Sequence, residues 1–301
     1  MRRTFFFAKK VNCQKLTLSI TNVKSYNKKI VLIFYSQDIR GRLQKMIEIT
    51  YISNAGILIQ CEKTRILIDA LQDAGGYPFS ATPDGIINQM FDSEHKSIYN
   101  DIDFLVFTHN HPDHITPRLV EEYLSRNKVN RIVWPEDTNP DFDSLNQWIG
   151  EHGIRTWNMK MERGRFHEYK LAENIKLYSL CTKHMKQIFP KDLCNCLLFR
   201  IEDKNILILS DCNPDEGELL KIFSQIHVDI VFMNPYFFYD TAGRNIIEMY
   251  VKPEKIGIYH IPFEKDDKMY IRTLAHQMVK KEKNLREKIV LLEETERKII
   301  I

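Results

Sequence analysis

Three histidines and an aspartate lie close together in the segment FLVFTHNHPDHITPRLVEEYL, which spans residues 104–124. They are His109, His111, Asp113 and His114. A short apolar run typical of a buried strand precedes them, and a segment with the periodicity of an amphipathic helix follows. Imidazole nitrogens and carboxylate oxygens are ligands of zinc, manganese and iron. Because α/β folds usually place their chemistry at the carboxyl ends of strands, we predict a metal site in this loop.

Three more potential ligands follow other strand-like segments further along the chain. They are His184, Asp211 and His260, at the ends of the runs LYSLCTKH, NILILSD and KIGIYH. Taken singly, each could be a capping aspartate or a buried histidine with a hydrogen-bonded ring. Together with the first cluster, they predict one site at which the ends of several strands converge.

The elements that must position these residues alternate between strands and helices. We predict strands near residues 47–52, 56–61, 65–69, 104–107, 131–134, 175–181, 197–202, 205–210, 229–233, 256–259 and 288–292. We predict helices near residues 83–91, 116–126, 141–152, 215–226, 244–251 and 269–283. Many strands with intervening helices favour a layered α/β architecture.

The motif THNHPDH resembles the HxHxDH motif of the metallo-β-lactamase-fold hydrolase superfamily. The resemblance extends over about residues 46–265, and three later positions match the family's remaining ligands in order and approximate spacing: His184, Asp211 and His260. Asp69 matches the family's early buried aspartate, which supports the metal site from outside the ligands. The resemblance implies a four-layered αββα sandwich with the metals at one edge of its two sheets.

The resemblance also implies a dinuclear centre. One ion is expected on His109, His111 and His184, and the other on Asp113, His114 and His260, with Asp211 between them. Two ions about 3.5–4 Å apart lower the pKa of a bridging water toward ~7 and polarise the substrate oxygen. Asp113 is expected to orient or deprotonate that water. We therefore expect two divalent ions, zinc ahead of manganese or iron, and hydrolysis of an ester by a metal-bridging hydroxide.

The substrate is predicted less directly, because this superfamily hosts many reactions. The pattern is most similar to cytosolic ascorbate-6-phosphate lactonase-like and small phosphodiesterase members, which favours a small anionic ester, either a phosphodiester or a lactone. Members with oxygen chemistry at a di-iron site carry Glu where this chain has His111, so that branch is disfavoured. Two alternatives stay open: a tRNA-processing nuclease, and a metal-binding sensor or scaffold without turnover.

Two loops are candidates for the substrate pocket. Segment 71–85 is rich in Gly and Pro and contains Tyr77 and Phe79, which would form a lid or side wall, or alternatively a surface turn that packs inward. Segment 234–247 contains Arg244 at an expected helix start, where its guanidinium could hold a phosphate or carboxylate. An ordinary solvated arginine is the alternative.

Charge is distributed unevenly along the chain. Residues 1–45 hold eleven Lys and Arg and one acidic residue, whereas residues 46–301 hold 32 basic and 39 acidic residues, a net charge of −7. An acidic body disfavours nucleic acid as a partner. Because the patterned sequence begins at Met46, we expect 46–301 to be a single domain and 1–45 a basic N-terminal extension. That extension would be either translated leader or a tail with a role of its own.

Cysteine usage and hydropathy bear on the compartment. The six cysteines lack the spacing of a disulfide framework, and the sequence contains neither a signal-peptide core nor a stretch of 18 apolar residues. We therefore expect a cytoplasmic protein with reduced thiols, no membrane association and a small-molecule partner. Cys194 and Cys196 are expected to pack on one face of a strand rather than bind metal.

Overall fold

Two mixed β-sheets form the centre of the fold. The structure, a computed structural model, describes residues 46–76, 78–136, 140–185 and 192–301. The first sheet contains β1 (Ile47–Ser53), β2 (Gly56–Cys61), β3 (Thr64–Ile68), β4 (Phe104–Val106), β5 (Arg131–Pro135) and β6 (Thr156–Met159). The second sheet contains β7 (Phe166–Ala172), β8 (Ile175–Lys183), β9 (Leu193–Ile201), β10 (Lys204–Ile208), β11 (Ile230–Met233), β12 (Lys255–Ile258) and β13 (Ile289–Leu291). The last strand, β14 (Lys298–Ile300), returns to the first sheet and pairs with β1.

The two sheets have similar internal organisation. In the first, β1, β2 and β3 are antiparallel neighbours, and β3, β4, β5 and β6 then run parallel. In the second, β7 to β10 are antiparallel neighbours, and β10 to β13 run parallel. Parallel strands end at the same edge of a sheet, and loops that follow them are the usual position of ligand sites in α/β folds. This arrangement gathers side chains that are distant in sequence.

Helices cover the outer faces of the sheets. They are α1 (Asp84–Phe91), α2 (Pro117–Arg126), α3 (Asp143–Glu151), α4 (Gly217–Leu220), α5 (Pro235–Tyr239), α6 (Thr241–Ile246) and α7 (Ile271–Lys281). Buried side chains of α1, α2 and α3 pack against the first sheet, and those of α4 to α7 pack against the second. None of the helices in the described part of the chain is long and apolar enough to cross a bilayer.

Alternation along the strands explains how each sheet carries two apolar faces. In β2, Ile57 and Ile59 face the core between the sheets, whereas Leu58 packs beneath the helices. In β10, Ile206 faces the inter-sheet core and Leu207 the helices. Successive strand residues point to opposite faces, so a strand buried on both sides is apolar at every position. The predicted four-layered αββα sandwich is confirmed.

The sequence analysis missed several elements. Strands β6, β7 and β14 and the short helix α5 have no counterpart among the predicted elements. The single helix predicted over 215–226 was wrong, since short 3-10 turns flank α4 on both sides. Cys194 and Cys196, as predicted, are buried side by side on β9 in the core beneath the helices of the second sheet. The predicted extension, 1–45, lies outside the described residues and stays a prediction.

Gly243 provides a test of the packing between α5 and α6. A Cβ at this position would lie 1.9 Å from the carbonyl oxygen of Phe237. We expect Gly243→Ala to lower the free energy of unfolding by at least about 2 kcal/mol, because backbone rather than a rotatable side chain would have to move. Gly85→Ala in α1 is the matched control, since its Cβ would meet nothing within 4 Å. Equal thermal denaturation midpoints for the two variants would contradict this packing.

Candidate metal centre

The candidate ligands lie in the loops that follow four strands of the two sheets. The cluster from His109 to His114 follows β4 in the first sheet. In the second sheet, His184 directly follows β8, Asp211 lies three residues beyond β10, and His260 lies two residues beyond β12. All seven predicted ligands are thereby brought together, and six of them are buried. His111 is partly exposed, with 14% of its side chain accessible.

Unusual backbone conformations occur beside the ligands. Asn54, Asp69, Ser210 and His260 all have left-handed backbone conformations, with φ between 46° and 59°. For residues other than glycine this conformation costs on the order of 1–2 kcal/mol, and it persists where surrounding contacts impose it. One such contact is the 2.8 Å hydrogen bond from the backbone N–H of His260 to the carbonyl oxygen of Asn54. Such residues concentrate at functional sites.

His109, His111 and His184 form the first ligand group. Nε2 of His109 lies 3.1 Å from Nδ1 of His111. The ring of His184 packs against both, with centroids 4.6 Å from His111 and 5.1 Å from His109. One ring nitrogen of each residue lies within 4.8 Å of the other two, which is the spacing needed to share one metal ion.

Asp113, His114, Asp211 and His260 form the second ligand group, and all four are buried. Nε2 of His260 lies 3.3 Å from Oδ2 of Asp113 and 3.3 Å from Nε2 of His114. The candidate ligand atoms again lie within 4.8 Å of one another. Imidazole nitrogens and carboxylate oxygens that converge in this way suit a shared cation.

Asp211 connects the two ligand groups through a single oxygen. Its Oδ2 lies 3.2 Å from Nε2 of His184, in the first group. The same atom lies 3.4 Å from Nε2 of His114 and 3.6 Å from Nε2 of His260, in the second. Its other oxygen, Oδ1, accepts a 3.1 Å hydrogen bond from the side-chain amide of Asn234. A carboxylate oxygen shared in this way is what a bridging ligand between two ions requires.

The electrostatics of the cluster agree with cation binding. Burial lowers the pKa of His109 well below its usual value, and the neighbouring imidazoles, chiefly His114, lower it further. Burial opposes ionisation of Asp211, but the nearby His260, His114 and His184 hold its pKa well below its usual range. His109 is therefore neutral and Asp211 ionised, the forms in which these side chains ligate metals. At His114, burial opposes protonation, but the carboxylates of Asp113 and Asp69 raise its pKa well above the usual value, so this ring lies where positive charge is favoured. The donor set fits two divalent ions.

Asp69 supports the cluster from beneath the ligands, at the position where its match to the family placed it. Its Oδ1 accepts a 2.9 Å hydrogen bond from the backbone N–H of Thr108. Its Oδ2 lies 2.9 Å from Nδ1 of His114, which must donate because the carboxylate has only acceptors. A carboxylate on the far nitrogen of a ligand histidine is a common means of orienting the ring.

Three further supporting residues were missed in the sequence analysis. The side-chain amide of Asn54 donates to the carbonyl oxygen of Asp113 at 2.7 Å and to its Oδ2 at 3.3 Å. Asn234 holds the outer oxygen of Asp211, as described above. Asp192 Oδ2 lies 2.9 Å from Nε2 of His111. The position of Asn234 after the apolar run of β11 and before Pro235 is a sequence signal that could have identified it.

Two of the residues predicted to contact substrate lie in the described part of the chain, and their contacts differ. The ring of Phe79 meets the ring of His260 edge-on, with centroids 4.3 Å apart, so Phe79 lies beside the second ligand group. Arg244 in α6 donates hydrogen bonds to the carbonyl oxygens of Phe238 and Tyr239 in α5 and to Thr241 Oγ1 in its own helix. Tyr77 lies outside the described residues. Of the two predicted contacts that the structure describes, Phe79 is the one in contact with a candidate metal ligand.

Substitution of the shared aspartate tests the two-group arrangement. Asp211→Ala is expected to reduce bound metal from about two ions per chain to one or fewer, because it removes a ligand from between the groups. His111→Ala should mainly affect the ion of the first group. Both outcomes can be checked by measuring the metal content of each variant after gel filtration, using inductively coupled plasma mass spectrometry.

His152→Ala is the control for this test, since the ring of His152 stacks on Trp148, with centroids 4.0 Å apart, and His152 belongs to neither ligand group. We expect it to retain the metal content of the unaltered chain. Two bound ions in Asp211→Ala would contradict the assignment of Asp211.

Comparison with known proteins supports the fold. No protein-family model and no curated protein matches the sequence. Among solved structures, the chain is similar to the metallo-β-lactamase fold protein YhfI from Bacillus subtilis, with 13% identity and a TM-score of 0.53 over 85% of this chain and 100% of that one. It is also similar to an isothiocyanate hydrolase from Delia radicum gut bacteria, with 17% identity and a TM-score of 0.56 over 84% of this chain and 98% of that one.

A third similar structure belongs to a larger protein. It is CmlA, a diiron β-hydroxylase from Streptomyces venezuelae, with 15% identity and a TM-score of 0.54 over 86% of this chain. The present chain spans only 54% of the length of CmlA. Identities this low establish the fold alone. The chain has the metallo-β-lactamase fold. This is shown by the two sheets between helical layers, by the His/Asp cluster at one sheet edge and by these structural matches.

Proposed function

We propose that the protein is a dinuclear metal-dependent hydrolase of a small anionic ester, either a phosphodiester or a lactone. The observation that carries the proposal is the position of Asp211 Oδ2, 3.2 Å from His184 in the first ligand group and 3.4 Å from His114 in the second. Two ions held in this way would activate a water molecule and polarise the substrate oxygen. We infer a small molecule as the partner and the cytoplasm as the location.

Asp113 is suited to orient the attacking water or to accept its proton. Burial opposes its ionisation, but His114 and His260 keep its pKa below its usual value, so it is a carboxylate at neutral pH. The side-chain amide of Asn54 donates to the carboxylate oxygen Oδ2 at 3.3 Å and to the backbone carbonyl oxygen of Asp113 at 2.7 Å. A carboxylate held in one orientation can either orient the water or accept its proton. Both roles require the same position beside the second ligand group.

The donor set bears on the choice of metal. The seven ligands comprise five histidines and two aspartates. Imidazole-rich sites suit zinc, and the added carboxylates also accommodate manganese or iron. We propose zinc in both positions. The diiron description of CmlA makes iron the first metal to compare with it.

A turnover assay tests the reaction. The full chain, loaded separately with zinc and manganese, should hydrolyse an aryl phosphodiester or an aryl-substituted lactone. Asp113→Asn and Asp211→Asn should each lower kcat/KM by at least ~100-fold, because each removes a charged group that acts on the reacting centre. His152→Ala should leave kcat/KM unchanged, since His152 belongs to neither ligand group.

The same assay distinguishes the alternatives. Two bound ions without turnover of either ester would contradict an esterase and favour a metal-binding sensor or scaffold. Hydrolysis of structured tRNA precursors in preference to small esters would favour the nuclease. Turnover of an aryl isothiocyanate alone would show that the bond cleaved is not an ester.

Phe79 is the proposed side wall of the substrate pocket, and its replacement tests that role. Phe79→Ala should raise KM about fivefold with a smaller change in kcat, since an aromatic contact is worth about 1 kcal/mol. Phe166→Ala on the edge strand β7 is the matched control, because Phe166 stacks on Tyr178. Arg244→Ala should raise KM for an anionic substrate if Arg244 binds it. An unchanged KM in Phe79→Ala would contradict the role of Phe79 as a side wall of the substrate pocket.

A further inference from the structure

The hydroxyl group of Thr108 lies directly beneath both ligand groups. Thr108 is fully buried, and its Oγ1 lies 2.7 Å from Oδ2 of Asp69 and 3.0 Å from Nδ1 of His109. The same oxygen lies 3.0 Å from Oγ of Ser210 and 3.3 Å from Nδ1 of His114. His109 belongs to the first ligand group and His114 to the second. One hydroxyl therefore contacts a ligand of each group.

The direction of these hydrogen bonds follows from the number of protons available. A threonine hydroxyl has one proton and two lone pairs. The proton is donated to Asp69 Oδ2, and one lone pair accepts the hydroxyl proton of Ser210. The contact with His109 is then a hydrogen bond only if His109 carries its proton on Nδ1. That tautomer leaves Nε2 unprotonated, and Nε2 is the nitrogen that faces His111 Nδ1 in the first ligand group.

In the second ligand group, the carboxylate of Asp69 fixes the position of the ring proton of His114 directly. His114 donates its Nδ1 proton to Asp69 Oδ2 at 2.9 Å. In the neutral ring this leaves Nε2 as the nitrogen available to a metal ion, and Nε2 faces Asp211 Oδ2 and His260. Asp69 thus acts directly on His114 and, through Thr108, on His109.

We propose that Thr108 is a positioning residue that extends the effect of Asp69 to the first ligand group and couples the two metal sites. The inference rests on the two-ion part of the proposed function, and not on the reaction. Thr108 also joins the two sheets, since Ser210 follows β10 and Asn195 of β9 donates to the carbonyl oxygen of Thr108 from both its backbone and side-chain nitrogens, each at 3.2 Å. A substitution at Thr108 should therefore alter the positions of candidate ligands from both sheets.

The test uses three variants of the full chain. Thr108→Val keeps the shape of the side chain and removes the hydroxyl, whereas Thr108→Ser keeps the hydroxyl. Thr50→Val makes the same change on β1, at a buried hydroxyl that has no hydrogen-bond partner among the described residues. Zinc affinity is measured by competition with a chromophoric chelator. We expect Thr108→Val to weaken zinc binding 10–100-fold at the first group and by a smaller factor at the second, because Asp69 still holds His114.

The conservative variants distinguish positioning from packing. Thr108→Ser should bind zinc within about threefold of the unaltered chain, since the relay is preserved. Thr50→Val should bind zinc normally. In ¹⁵N-histidine spectra, His109 should carry its proton on Nδ1 in the unaltered chain and in Thr108→Ser, and should lose this preference in Thr108→Val.

Three outcomes would overturn the inference. Normal zinc affinity and an unchanged His109 tautomer in Thr108→Val would show that the hydroxyl is not needed. Equal weakening in Thr108→Ser and Thr108→Val would show that keeping the hydroxyl does not protect zinc binding, and would assign the effect to disturbed packing at this position. Failure of the unaltered chain to bind zinc would overturn the proposed function as well, whereas the first two outcomes leave that proposal intact.

Discussion

Asp69 directly follows β3, and its carboxylate is buried between Thr108 and His114. Burying an ionisable group in this way is costly unless hydrogen bonds or opposite charges compensate. Here three donors surround it: the backbone and hydroxyl of Thr108 and the ring of His114. Because these donors belong to the loop after β4, the carboxylate fixes that loop against the first sheet. The orientation of the metal ligands depends on this contact.

The second sheet completes the centre because its strands end at the same place. Loops after β8, β10 and β12 contribute His184, Asp211 and His260. Asn234, after β11, supplies the amide that orients Asp211. Neither sheet alone carries a complete ligand group, since His184 joins two histidines of the first sheet and Asp211 lies between the groups. The chemistry therefore depends on the close packing of apolar side chains between the sheets.

The seven candidate ligands could be selected from the sequence because each has a local signal, and the fold brings them together. Four lie in one short motif, and the others follow apolar runs whose length and composition indicate buried strands. Strands buried on both faces are easy to recognise in a sequence because nearly all of their residues are apolar. β7 was missed because it is an edge strand whose residues, FHEYKLA, are mostly exposed or half-buried and include several charged or polar side chains. β14 has only three residues.

The supporting residues were harder to predict, since their roles depend on contacts between distant parts of the chain. Thr108 and Ser210 are ordinary strand-end residues in sequence, yet their hydroxyls meet at 3.0 Å. Asn54 lies in a tight turn after β1, where asparagine is expected for its backbone conformation alone, and its contact with Asp113 spans 59 positions. No local pattern encodes such a pairing. Only the fold brings these groups together.

The central claim is that the two ligand groups hold two ions with Asp211 between them. Anomalous diffraction from crystals of the zinc-loaded protein, measured on both sides of the zinc absorption edge, tests this most directly. The account predicts two zinc peaks per chain. One would lie among His109, His111 and His184, and the other among Asp113, His114 and His260, with Asp211 within bonding distance of both. A single peak, or peaks at other residues, would contradict it.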